Sequence, residues 1–333
     1  ATLAAWLAAL FLTVSRFAIA WSQEIRMYAL ASLLAVLAVW AARRVWAGGR
    51  RGDVAVYVMA TAGGLLTLYL FAPVWAAINV AWLWVWHAAA NRRRVLWRWV
   101  GIQLLVAALF LPWAWYASGG FLSTVAATPI RLIDFLHIYW TVLTVGIPVD
   151  VAQFNRLTLP ALVVFIAAVA ALAGRVWRRP AADRRLRQAT PGHDPSSLIA
   201  RSDLTLLLAI LLIPAVIVYV VSLPKQNFYN PPFNPRYLVI FTPFYSILLA
   251  WGVVVLGEWL VSWHRGAPGE ESGGATVRGR RSAVIALGLA AFMIVVALVG
   301  LWPYYPGRVL VDDYPSLVST IDVTRPSTMS EKY

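Results

Sequence analysis

Long apolar runs, separated by short polar breaks, make up most of this chain. Nine can be counted, at about residues 1–20, 27–42, 54–71, 74–90, 99–117, 157–174, 204–222, 237–257 and 283–302. Runs near twenty residues are long enough to cross a hydrocarbon core of roughly 30 Å. In lipid a helix satisfies its own backbone, and the period-two alternation of a membrane β-barrel is absent. The pattern predicts an all-α fold, a polytopic transmembrane helix bundle of about nine transmembrane helices. Residues 131–148 are amphipathic, with Asp134, Tyr139 and Trp140 suited to a helix lying at headgroup level rather than to a tenth span. The stretches 178–203 and 264–281, rich in Pro, Gly, Ser and charge, read as connectors.

Composition supports the membrane reading. The 333 residues are 61% hydrophobic and 13% charged, with 18 Trp, against about 25% charged in soluble domains. The net charge of +14 would suggest nucleic acid in a soluble protein, but its distribution points elsewhere. Nineteen of the 28 Lys and Arg fall in alternate connections, around Arg43–Arg51, Arg92–Arg98, Arg175–Arg201 and Arg265–Arg281. The positive-inside tendency makes these connections cytoplasmic. The stretches around Arg16–Arg26, Arg131–Arg156, Lys225–Arg236 and the C-terminus then face outside. There is no Cys, so neither disulfide nor thiolate chemistry is available. The chain opens on Ala1, already inside an apolar run and without a charged leader. It reads as N-terminally truncated rather than as starting with a signal peptide.

The residues of interest are charges that did not have to lie near lipid. Glu24 and Arg26 sit two residues apart at the outer junction of the first two runs. The plain reading is an interfacial ion pair marking a helix end. The functional reading is a polar site, with Glu24 favoured near the positive N-terminus of the next helix. A second cluster, Pro224-Lys-Gln-Asn-Phe-Tyr-Asn-Pro-Pro-Phe-Asn-Pro-Arg-Tyr-Leu238, supplies Lys225 and Arg236. It is either a stiff aromatic connector or a source of cations for a phosphate. Asp134 and His137 share a helix face but lack a third metal ligand. No phosphate-binding GxxxxGK loop, HExxH pair or GxSxG elbow is present. Trp82, Trp84 and Trp86 are packing or lipid-facing residues by default.

The stretch Trp21-Ser-Gln-Glu-Ile-Arg-Met-Tyr-Ala-Leu30, followed by an apolar helix and Ala-Arg-Arg, resembles the protein mannosyltransferase-like glycosyltransferases. These are glycosyltransferase family 39 and its bacterial relatives, of the GT-C fold class. Asn234-Pro-Arg-Tyr-Leu-Val-Ile-Phe-Thr-Pro-Phe244 resembles a later helix start of that family, and Pro112 fits its pattern. Ser15-Arg16 departs from it, since the family usually reads Ser-Pro there. The resemblance implies transfer of a mannose-like or related sugar from a polyprenyl-phosphate carrier to a protein, lipid or glycan acceptor. Transfer would occur on the outer face of a bacterial plasma membrane, in a multi-pass protein that does not bind nucleic acid. It assigns 1–302 to the transmembrane glycosyltransferase-like domain and 303–333 to the start of an extracytoplasmic segment. The family's catalytic Asp lies in a first outer loop that precedes this chain, so the fragment is expected to be inactive alone. Glu24 and Arg26 match catalytic positions, while Arg236 and Tyr237 match the later Arg-Tyr pair. With Lys225 these last two would bind the carrier phosphate, and Glu24 would orient the acceptor or a divalent metal ion.

An inverting displacement needs a base for the acceptor's proton and cations for the departing phosphate. The alternative is a membrane transporter or lipid flippase. Transporters concentrate charge near the bilayer midplane, whereas the charges here cluster at the ends of the runs.

Overall fold

The computed structural model describes residues 2–23, 27–68, 71–117, 132–146, 155–187, 195–222, 235–263 and 275–302. All of its regular structure is helical. In chain order come α1 (Thr2–Thr13), α2 (Arg16–Ser22), α3 (Tyr28–Trp46), α4 (Arg51–Thr67), α5 (Ala72–Ala88) and α6 (Arg92–Ala117). There follow α7 (Leu132–Thr144), α8 (Asn155–Arg187), α9 (Pro195–Ser222), a 3-10 turn (Pro235–Phe241), α10 (Thr242–Trp263) and α11 (Ala275–Leu301). Among the described residues there is no strand.

Among the described residues five helices are long and apolar enough to cross a membrane: Tyr28–Trp46, Arg92–Tyr116, Arg156–Val176, Leu238–Trp263 and Arg280–Leu301. The nine apolar runs therefore exceed the five helices that meet this measure. α4 and α5 have 17 residues each, about 25 Å at 1.5 Å per residue. The first run is not one helix. Ser15 adopts an extended conformation, and its hydroxyl accepts from the Ala18 amide at 3.4 Å. This N-cap ends α1 and starts α2, because a capping Ser satisfies an amide left free at a helix start.

α10 is the central helix, with 83% of its apolar window buried against 17% for α6. It packs on α1, α8 and α11, and a helix apolar all round is suited to such a place. Small residues set the close crossings. A Cβ on Gly252 would lie 2.9–3.0 Å from Ala168, and one on Gly257 would lie 2.8 Å from the Ser282 carbonyl. α3 turns a row of fully buried alanines (Ala31, Ala35, Ala38 and Ala42) inward, which allows the near approach typical of membrane helix pairs.

α4, α5 and α6 are joined by amides within their apolar surfaces. Gln103 accepts from the Trp75 indole at 2.7 Å and donates to the Tyr57 hydroxyl at 3.0 Å. Asn79 accepts from the Trp99 indole at 2.9 Å and donates to the Trp75 carbonyl at 2.8 Å. Of the expected default tryptophans, Trp82 is buried and stacks on Trp99 at 5.5 Å, while Trp84 is exposed.

α7 has 13 residues, about 20 Å, so it is too short to span. Its Tyr139 and Trp140 have partners inside the bundle that their residue types do not name. The Tyr139 hydroxyl donates to the Leu211 carbonyl of α9 at 2.6 Å, and the Trp140 indole donates to the Thr158 carbonyl of α8 at 2.9 Å. Trp140 then packs with Phe165 and Tyr245, at centroid distances of 4.9 and 5.7 Å.

Candidate functional site

The two stretches singled out in the sequence meet at one end of the bundle. α2 closes at Ser22, α3 opens at Tyr28, and the 3-10 turn Pro235–Phe241 packs against both. Leu238, Ile240 and Phe241 are fully buried and anchor the turn, and Tyr28 is buried at the start of α3. The Ser32 hydroxyl donates to the Tyr28 carbonyl at 3.0 Å and lies 3.5 Å from the Val239 carbonyl, linking α3 to the turn.

A cavity of about 320 Å³ opens where these elements converge. Its polar lining is four hydroxyls, those of Thr13, Ser22, Ser32 and Thr242, set among apolar residues such as Ile19 and Ala29. Thr13 donates to the Leu10 carbonyl and Ser22 to the Ile19 carbonyl, each at 2.9 Å. With their protons engaged on their own helices, these oxygens remain acceptors. The Thr242 hydroxyl is buried and has no hydrogen-bond partner among the described residues. The lining can therefore accept from ligand hydroxyls, and it carries no charge of its own.

Of the expected site residues, Glu24, Arg26 and Lys225 lie outside the described residues. Arg236 and Tyr237 are placed by their backbone in the first turn of the 3-10 segment, one turn before Val239 and Thr242 of the cavity lining. Ser22, two residues before Glu24, also lines the cavity. Among the described residues no three His, Asp or Glu come together as a metal site. His193, His264, Asp150, Asp312 and Asp313 lie outside the described residues.

Arg16, which marks the departure from the family pattern, has a structural part at this same end. Its Nη1 donates to the Gly300 carbonyl of α11 at 2.9 Å, and its side chain covers Gly146 after α7. Gly146 has a φ of +102°, and a Cβ there would lie 2.9 Å from Arg16 Cβ. In the sequence Arg16 stands out only as a departure from the family pattern, and Thr242 and the amides Asn79 and Gln103 are given no role. The amides did carry a signal, since polar side chains inside apolar runs are expected to be bonded to something.

The other end of the bundle is rich in arginine, and three carboxylates among the described residues are paired there. Asp53 takes Arg44 Nε at 2.6 Å and the Arg50 backbone amide at 2.8 Å. The Arg50 amide, aided by the Arg44 guanidinium, holds the Asp53 carboxyl below its ordinary value despite the opposing effect of burial. Asp203 faces Arg43 at 2.5 Å, yet burial outweighs the cation and raises its carboxyl. Glu258 pairs with Arg175 and so joins α10 to α8.

No family model matches this chain, and no curated protein or solved structure is significantly similar to it.

Proposed function

We propose that this chain belongs to a membrane glycosyltransferase that moves a sugar from a polyprenyl-phosphate carrier to an acceptor at the outer membrane face. On this reading all nine apolar runs cross or enter the bilayer. The observation that carries the proposal is the meeting of the segment before Glu24 with the Pro235–Phe241 turn around one hydroxyl-lined cavity. Those are the two stretches that resemble the family. In the proposed site Arg26, Lys225 and Arg236 stabilise the departing phosphate, with Tyr237 beside them, and Glu24 orients the acceptor or a metal ion. Neutral hydroxyl acceptors suit a polyhydroxylated group, whose O–H donors need partners once desolvated.

The test is transfer of labelled sugar from its polyprenyl phosphate by the intact protein in proteoliposomes. Arg236→Ala should cut transfer at least tenfold, the size of one charge-assisted hydrogen bond, while membrane insertion stays unchanged. Unaltered transfer removes Arg236 from the site. Solute flux without transfer would replace the enzyme by a transporter.

A further inference from the structure

A second cavity, of about 500 Å³, lies at the arginine-rich end, between the end of α3, the end of α5, the start of α6 and α9. It has a sided build. One face of α6 supplies Val95, Arg98, Trp99 and Ile102 to its lining, the i, i+3, i+4, i+7 spacing of a single helix stripe. Arg98 is at the solvent-exposed edge, and Ile102 is one turn further into a helix that is long and apolar enough to span. Trp99 is buried and stacked on Trp82, so the inner wall is aromatic and apolar.

The charge at the mouth is positive. Arg43 is matched by Asp203 at 2.5 Å. Arg98 has no ion pair among those described, and its Nη2 reaches only the Gly49 carbonyl, at 3.3 Å. The neighbouring turns add Arg92, Arg93 and Arg94, all exposed.

We infer that this cavity binds an anionic membrane lipid, with its phosphate at Arg98 and its acyl chains running past Trp99 and Ile102 toward the bilayer interior. A free phosphate would use the guanidinium but gain nothing from the tryptophan wall, whereas a lipid uses both. Arg offers the forked donors that match phosphate oxygens, and basic pockets between membrane helices are suited to such headgroups. The inference stands apart from the proposed transferase site, which lies at the opposite end of α3.

The experiment counts lipids retained by the purified chain, using native mass spectrometry after reconstitution in phosphatidylcholine doped with phosphatidylglycerol. Phosphatidylglycerol should be retained over phosphatidylcholine, and Arg98→Gln should weaken that retention about tenfold. Arg93→Gln, an exposed cation outside the lining, should leave it unchanged. Ala88→Trp, which fills the cavity from α5 without touching the charges, should also lower retention. Equal retention of the two lipids overturns the inference, as does an equal loss in Arg98→Gln and Arg93→Gln, which would mean diffuse attraction. Displacement of the lipid by inorganic phosphate at matched concentration would make this a site for a soluble anion and also overturn it.

Discussion

Two glycines with positive φ offer a matched pair for testing how the end of the bundle near the candidate site is held. Gly48 (φ +90°) follows α3, and Gly146 (φ +102°) follows α7. The Gly48 amide bonds the Val45 carbonyl at 3.2 Å and the Gly49 amide bonds the Arg44 carbonyl at 2.8 Å, a Schellman closure that calls for a left-handed residue. Replacing either glycine by Ala imposes a left-handed conformation costing about 1–3 kcal/mol. Around Gly48 there is open space, so Gly48→Ala should cost only that. At Gly146 the new Cβ would meet Arg16 Cβ, Cγ and Cδ at 2.9–3.0 Å. Arg16 Cγ and Cδ could swing away only by giving up the 2.9 Å bond to the Gly300 carbonyl, while Arg16 Cβ, fixed to its backbone, would yield only by a small backbone shift. A hydrogen bond to a charged donor contributes about 1.5–3 kcal/mol, so Gly146→Ala should exceed Gly48→Ala by roughly that much. SDS titration followed by tryptophan fluorescence reads the unfolding. An Arg16→Ala background removes Cγ, Cδ and the hydrogen bond but keeps Cβ, so the extra cost of Gly146→Ala should fall by the share due to that bond, a coupling that a double-mutant cycle isolates. Equal costs for the two glycines, or additivity with Arg16→Ala, would refute the argument that Arg16 fastens α7 to α11.

Gln103→Leu should lower stability by about 1 kcal/mol in the same assay, because it strands the Trp75 indole and the Tyr57 hydroxyl among apolar helices; no loss would mean that both find other partners. Asp53 and Asp203 should respond oppositely to pH. The Asp53 carboxyl is held below its ordinary value of 3.8, so its contribution is present above that pH and is lost as pH falls through its folded pKa. The deficit of Asp53→Asn should accordingly shrink on acidification. The Asp203 carboxyl is raised, so its contribution is full below 3.8 and is lost as pH rises through its folded pKa; Asp203→Asn should gain on the native chain over that rise. Parallel pH profiles for the two variants would contradict these assignments.

The helical, membrane-type architecture was legible because apolar runs and arginine-rich breaks are local, additive signals. The break between α1 and α2 was not. Residues 1–20 are apolar almost throughout, and the end of α1 depends on one serine taking an extended conformation as a cap. Tyr139 and Trp140 show a different limit. Aromatic residues near a helix end fit a headgroup belt by type, and here their polar atoms reach backbone carbonyls on α9 and α8, partners that residue type does not name. Only the three-dimensional neighbourhood decides between those uses. Arg16 looked like a departure from a family pattern, yet its partner is 284 residues away at Gly300. At the candidate site the sequence singled out charged positions. The described residues add what charge reasoning overlooks, namely the hydroxyls of Ser32 and Thr242, which come from distant segments and carry no motif of their own.

The most direct measurement is polyprenyl-phosphate-dependent sugar transfer by the intact protein, compared with an Ala29→Trp variant. Ala29 lines the cavity between the two stretches and is exposed, so the larger side chain fills the cavity without entering the core. The account predicts transfer by the native protein and its loss in Ala29→Trp, with insertion and thermal stability unchanged. Transfer that persists with the cavity filled, or a native protein that moves no sugar from the carrier, would contradict it.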